Sequence, residues 1–267
     1  MFEAREVPSL DVAELAPYRT LRRPIEHQKQ GIFVAEGEKV VRRLLNSGLA
    51  VISMLMTSGW FSKLFPTGTE LPCQVFLADK KLVETIVGYN LHQGIMAVGS
   101  IPPERPFDET IRSLPQPHLL VALDGIASAE NVGVIVRNAA AFGAQAILAG
   151  ETSSSPYLRR AVRNSMGAVF RLPVVSSSNI VEDLKALREK RVSVIAAHPR
   201  SSRSIYVEDL TGNLCLVLGN EEHGVSGPVL ETCTHQISIP MLNETDSLNV
   251  SSACAVFLSE IQRRRKD

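Results

Sequence analysis

The chain has 267 residues, 45% of them hydrophobic and 21% charged, which gives room for one large globular domain or two modest ones. Lys+Arg and Asp+Glu are equal at 28 each, which argues against a histone-like polycation and confines any contact with a polyanion to a local patch. No apolar run reaches the roughly twenty residues needed to span a bilayer.

The N-terminal MFEAREVPSLDVAEL is acidic and has no apolar signal core, so a reducing, cytoplasmic compartment is expected. Cys73, Cys215, Cys233 and Cys254 form no CxxC pair and mostly stand in apolar surroundings, which reads as core filling. The six histidines lack HxxxH or HxxEH spacing, so no metal is expected.

Residues up to about Pro17 read as a loose or helical lead-in. Ile32–Val34 is a short strand, and Gly37 opens a helix with Val40, Val41, Leu44 and Leu45 on one face. Asn46-Ser47-Gly48 stops that helix. Val51–Met56, Gln74–Leu77 and Ile95–Val98 read as strands, with a helix over 79–87 capped by Asp79. Residues 1–101 thus form a small α/β domain. A linker follows over 102–117, where Pro102, Pro103, Pro106, Pro115 and Pro117 oppose a continuous helix or central strand.

From 118 to 267 strands alternate with helices. Strands are expected at Leu119–Asp124, Ala146–Leu148, Val192–Ala197 and Leu214–Leu218, and helices at Asn131–Phe142, Pro156–Asn164 and Ile180–Lys190. The alternation predicts a mostly parallel sheet covered on both faces. The segment 214–265 reads as strand, glycine-bearing turn, short helix, strand, polar turn and long helix. Buried strands that end in polar loops are where α/β proteins place ligands.

Four features carry candidate chemistry. Arg137 lies on a helix whose packing face is Val132, Ile135, Val136 and Ala139. Its three- and four-residue neighbours are small and include no acid, so a solvated arginine and a functional one both fit. Asn131 reads as that helix's N-cap or as a ligand. In LVLGNEEHGVS, Gly219 permits close approach of a flat ligand and Glu221 can accept hydrogen bonds, while His223 reads as an ordinary loop residue. No GxGxxG or GxxxxGK[ST] pattern occurs there, which disfavours dinucleotide and nucleoside-triphosphate sites. In IPMLNETDSLNVSSACAVF, Ser247 is the expected cap of a helix striped by Val250, Ala253, Cys254, Phe257 and Ile261, leaving Asn249 inside the first turn. The closing Arg263-Arg264-Arg265-Lys266 complements the helix dipole. Arg159, Arg160, Arg163 and Arg171 crowd a short span without interleaved acid, the best candidate for a phosphate-contacting surface.

Together these pieces resemble the SpoU (TrmH-like) branch of the SPOUT RNA methyltransferases. The family's three motifs are matched in order by NVGVIVRN (131–138), LVLGNEEHGVS (216–226), and IPM (239–241) with SLNVS (247–251). RNSMGAVFRLPV is similar to the segment between the first two. FVAEGEKVV and HQGIMAV are more loosely similar to the small RNA-binding domain that many members carry ahead of the catalytic one. The resemblance implies a knotted α/β domain with a parallel sheet and a trefoil knot, S-adenosyl-L-methionine as cofactor, a homodimer through the C-terminal domain, and methylation of a ribose 2′-hydroxyl in structured RNA. It assigns cofactor contacts to Leu218, Gly219, Ile239, Met241 and Leu248, and the catalytic role to Arg137 with Asn131, Glu221, Ser247 and Asn249 ordering the site. The N-terminal domain favours rRNA over tRNA. A non-catalytic RNA-binding protein on the same fold is the second reading. The family usually has glycine where this chain has Glu222, and near Asn243-Glu244.

Overall fold

The computed structural model describes residues 2–87 and 94–266. It divides into two compact units, one of 1–102 with 157–170, the other of 103–156 with 171–267. His92 and Gln93, part of the HQGIMAV similarity, lie outside the described residues.

In chain order the first stretch holds β1 (Ala4–Glu6), α1 (Ala16–Arg19), α2 (Pro24–Lys29), β2 (Ile32–Glu36), α3 (Glu38–Leu45), β3 (Val51–Met56), α4 (Ser58–Leu64), β4 (Gln74–Leu77), α5 (Lys80–Val87) and β5 (Ile95–Ser100). The strands form a mixed sheet in the order β1-β4-β3-β5-β2. β1 lies in the expected lead-in: its three residues are too few for a periodic signal, and parallel pairing with Val75–Leu77 makes it a strand. Asp79 Oδ1 accepts the Leu82 N–H at 2.7 Å, the expected cap of α5. Gly37 adopts φ +90° as it turns β2 into α3.

The second stretch holds α6 (Phe107–Ser113), β6 (Leu119–Asp124), α7 (Ala129–Ala141), β7 (Ala146–Ala149), α8 (Arg159–Asn164), β8 (Val174–Ser176), α9 (Ile180–Glu189), β9 (Ser193–Ala197), β10 (Leu214–Gly219), α10 (Gly227–Thr232), β11 (His235–Ile237) and α11 (Val250–Arg264). α6 corrects the expected extended linker. The prolines bracket seven residues rather than interrupt them, and Ile111 with Phe107 and Leu114 packs into the second unit's core. α8 is shorter than the expected Pro156–Asn164 helix, starting after Leu158.

β6 to β11 form a six-stranded sheet in the order β11-β9-β10-β6-β7-β8, with every pair parallel. β6 and β10 lie at its centre and are buried at every position, as their unbroken apolar runs require. Leu120, Ala122, Cys215 and Val217 face one core together with Leu184 and Leu187 of α9 and Val229 of α10. α7 and α11 pack on each other and against β7 and β10 respectively, forming the other layer. The chain runs outward from β6 to β8, then returns on the far side to lay β9, β10 and β11. The direction of strand order reverses beside β6, where Gly219 pairs with Asp124 at the carboxyl ends. Ligands favour that position in parallel sheets.

A cavity at the carboxyl end of the parallel sheet

The loops leaving β9, β10 and β11 and the start of α11 converge on one cavity of about 330 Å³, within the ~300–1,000 Å³ usual for small-molecule sites. Leu218, Gly219, Ile239, Met241 and Leu248 all line it, as do Glu221, Ser247 and Asn249. Thus two sequence segments that only end in polar loops are brought into one wall.

Gly219 is required by contact with backbone. A Cβ there would stand 2.1 Å from the Val225 nitrogen and 2.2 Å from the Gly224 carbonyl carbon, distances real atoms do not tolerate. The glycine admits the return of its own loop, a use beyond the ligand approach inferred from sequence. Gly224 takes φ +74°, closing that loop. Asn220 braces it: its amide donates to the Gly125 carbonyl at 2.7 Å, and its Oδ1 accepts the Glu222 and His223 N–H groups at 2.9 and 3.0 Å. The β6 side is tied in by buried Asp124, whose Oδ2 accepts the Ser226 N–H at 2.7 Å.

Beside the cavity three site residues form a chain of hydrogen bonds. Asn249 Nδ2 donates to Asn131 Oδ1 at 3.2 Å, and Asn131 Nδ2 donates to Glu221 Oε1 at 2.9 Å. The Glu221 carboxylate also accepts the Ala127 and Ser128 N–H groups at 3.2 and 3.1 Å. Burial pushes its carboxyl up, but the hydrogen bonds from Asn131, its own backbone, Ser128 and Ala127 outweigh that and hold its pKa below the ordinary value.

Both helix caps differ from expectation. Ser128, not Asn131, caps α7, its side chain accepting the Asn131 N–H, so Asn131 sits in the first turn with its amide free to join the network. Asn249, not Ser247, caps α11: its Oδ1 accepts the Ser251 N–H at 2.9 Å and the Ser251 hydroxyl at 2.7 Å. A cap position explains why a poor helix former stands there. Ser247 lies in the extended loop before it, on the cavity wall. In that loop Asn243 and Glu244 both take positive φ, +55° and +57°. Asn visits this region readily, whereas Glu does so at a cost.

Arg137 is not in the cavity wall. It stands exposed on α7, opposite the buried Val132, Ile135, Val136 and Ala139, and among the described residues it makes no hydrogen bond or ion pair. Its neighbour Asn138 donates to the Ser251 carbonyl at 2.8 Å, joining α7 to the first turn of α11. The basic segment divides. Arg159 is largely buried within the first unit, donating to Glu36 at 2.7 Å, and Arg163 stands 3.6 Å from the same carboxylate. The acid missing from the sequence neighbourhood is supplied from 123 residues away, so Arg159 is engaged within the protein. Arg160 and Arg171 are exposed.

The remaining candidates are structural. Arg263 and then Arg264 hydrogen-bond Glu260 and hold its carboxyl at about 2, while Arg265 donates to the His118 and Gly212 carbonyls at 2.7 and 2.6 Å. Burial pushes the Cys73 thiol up to about 11 and the Cys233 thiol to about 12, with Cys215 and Cys254 also raised, so all four remain protonated. Among the described residues no group of His, Cys, Asp or Glu is placed to hold a metal, and no helix is long and apolar enough to cross a membrane. Sequence reasoning missed His198, Asn220 and Phe257 in the cavity wall. Position just past β9 and β10 is the signal that points to the first two.

Residues 118–259 match the model of the SpoU rRNA Methylase family. The chain belongs to that family. A 23S rRNA (guanosine-2′-O-)-methyltransferase of Vibrio cholerae is 35% identical over 194 residues, covering 71% of this chain and 77% of the relative. A protein of Mycobacterium tuberculosis described as an uncharacterized tRNA/rRNA methyltransferase is 36% identical over 188 residues, but the match spans 69% of this chain and only 58% of the relative's length. Among solved structures, the AdoMet-bound rRNA methyltransferase of Sinorhizobium meliloti superposes with a TM-score of 0.82 at 26% identity, covering 97% of this chain and 98% of that one. A TrmH-family protein from Porphyromonas gingivalis gives 0.78 at 28% identity, covering 95% and 98%.

Proposed function

We propose that this SpoU-family chain is an S-adenosyl-L-methionine-dependent methyltransferase acting on a ribose 2′-hydroxyl of structured RNA, rRNA in preference to tRNA. The observation that carries this reading is the cavity itself. Its wall combines the apolar Leu218, Ile239, Met241, Leu248 and Phe257 with two carboxylates and no Lys or Arg. That charge suits a cationic sulfonium with an aromatic base and does not suit a phosphate-bearing nucleotide. The rRNA preference rests on the Vibrio cholerae and Sinorhizobium meliloti relatives, whose names specify rRNA. The N-terminal unit, with its separate core around Tyr18, Val34, Leu55 and Phe76, is the proposed RNA-binding module.

The bound cofactor supplies an electrophilic methyl group. A ribose hydroxyl is a weak nucleophile, so its proton would have to pass to solvent water as the oxygen takes the methyl and the neutral thioether leaves. A guanidinium with pKa above about 12 is a poor base. Arg137, exposed and unpaired among the described residues, instead orients and polarises the hydroxyl together with an RNA phosphate, and proximity contributes much of the rate. Asn131, Glu221 and Asn249 hold the carboxyl-end loops and the start of α11 in register, with Ser247 on the wall.

Three finer features belong to the same reading. A trefoil knot over the C-terminal stretch is supported by insertion of β10 between β9 and β6. A homodimer through the second unit, using α7 and α11, accords with the exposed face that α7 keeps. A cytoplasmic location follows from the RNA substrate. The deciding experiment is transfer of labelled methyl from S-adenosylmethionine to RNA. Arg137→Ala retains cofactor binding by calorimetry and loses transfer at least about 100-fold, the scale of a lost general-acid–base or positioning group. Undiminished transfer removes Arg137 from the mechanism, and incorporation into a 2′-deoxy substrate removes the ribose assignment.

A further inference from the structure

The cavity wall carries two carboxylates in different states. Glu221 is committed to Ala127, Ser128 and Asn131. Glu222 also lines the cavity, yet among the described residues its carboxylate has no hydrogen bond or ion pair. Its backbone is nonetheless held in place, because Asn220 Oδ1 accepts the Glu222 N–H at 2.9 Å and the Asn220 amide is fastened to Gly125. The other titratable side chain on the wall is His198, whose Nδ1 accepts the Arg200 N–H at 3.2 Å. No Lys or Arg among the described lining residues neutralises Glu222. An uncompensated negative charge on the rim of a cavity acts on any ligand that carries net charge, and because Glu222 is exposed the effect is moderated by solvent.

The methyl donor and the product it becomes differ by one positive charge: S-adenosylmethionine carries a sulfonium, S-adenosylhomocysteine a neutral thioether. Shape is otherwise nearly shared, so apolar walls and ribose contacts cannot separate the two. We propose that Glu222 is a specificity-determining residue that makes the cavity charge-selective, favouring the cationic donor over the neutral product. The inference rests on the cofactor assigned above. Its consequence is relief of product inhibition, since loss of the charge on transfer removes the attraction that Glu222 supplies.

The test is calorimetric titration of the full chain and of Glu222→Gln and Glu222→Gly with S-adenosylmethionine, S-adenosylhomocysteine and sinefungin, whose amine keeps a positive charge beside the transferred-methyl position. Both variants are expected to weaken S-adenosylmethionine and sinefungin about three- to five-fold, the scale of a solvent-accessible charge pair, and to leave S-adenosylhomocysteine within about two-fold. Glutamine keeps the shape and glycine tests the opposite extreme, while circular dichroism verifies folding of each. Equal weakening of all three ligands, no weakening of any, or a loss confined to S-adenosylmethionine and absent for sinefungin would overturn the charge mechanism. Failure of the unmodified chain to bind any of them at millimolar concentration would instead overturn the cofactor assignment.

Discussion

At the cavity, single atoms decide which residues are replaceable. Glu221 accepts two backbone N–H groups and the Asn131 amide, and its carboxyl pKa is depressed. A depressed carboxyl contributes stability that is present above its unfolded value near 4.3 and is lost as pH falls through the lower folded value. Glu221→Gln is therefore expected to destabilise the protein by about 1 kcal/mol at pH 7, discounted for its exposure, with the difference disappearing at acid pH. Urea unfolding of both proteins at pH 7 and pH 3.5 checks this; a difference that grows on acidification contradicts it. Gly219 tolerates less. Because the obstacle to a Cβ is backbone of Gly224 and Val225, not a movable side chain, Gly219→Ala is expected to cost about 2 kcal/mol or more and to lower the thermal midpoint measured by calorimetry.

At the scale of elements, helix starts and one buried ion pair carry the argument. Asn249 caps α11 and also donates to Asn131, whereas Ser247 makes no cap. Asn249→Ala is expected to cost about 1 kcal/mol in urea unfolding and Ser247→Ala a few tenths at most; the reverse order would restore Ser247 as the cap. In the first unit the Glu36 side chain is 6% exposed and that of Arg159 16%. Removing one partner strands a charge, so Glu36→Ala is expected to destabilise that unit by about 3 kcal/mol, measured by thermal or denaturant unfolding. Arg159→Ala is likewise expected to act on stability before RNA affinity, unlike exposed Arg171. The helix faces of α3, α7 and α11 were legible from 3.6-residue periodicity, and β6 and β10 from unbroken apolar runs. β1 and β8, three residues each, carry no such period and exist through pairing with β4 and β7.

For the whole molecule, zero net charge and two units with separate cores set the expectations. Assembly through α7 and α11 predicts a dimer near twice the 29.1 kDa chain mass by light scattering at micromolar concentration. A monomer there contradicts the proposed interface. An electrically neutral chain also has no long-range pull on RNA, so binding should depend on a local set of arginines and fall with added salt in proportion to the phosphates they contact.

The sequence by itself determined the alternation of strands and helices, the buried core strands, the three motifs and eight of the eighteen residues that line the cavity. Those features are written in local order: periodicity, capping chemistry and turn residues act over a few neighbours. Only the tertiary structure decided which distant groups meet. It brought Glu221 to Asn131 across 90 residues and Asn249 to Asn131 across 118, and gave Arg159 a buried carboxylate 123 residues away. It also left Glu222 exposed on the cavity wall and unpaired among the described residues, while its neighbour Glu221 bonds Asn131, Ala127 and Ser128. Composition and periodicity alone do not separate the two adjacent glutamates. Backbone direction after β10 gives one to the fold and leaves the other exposed on the cavity wall.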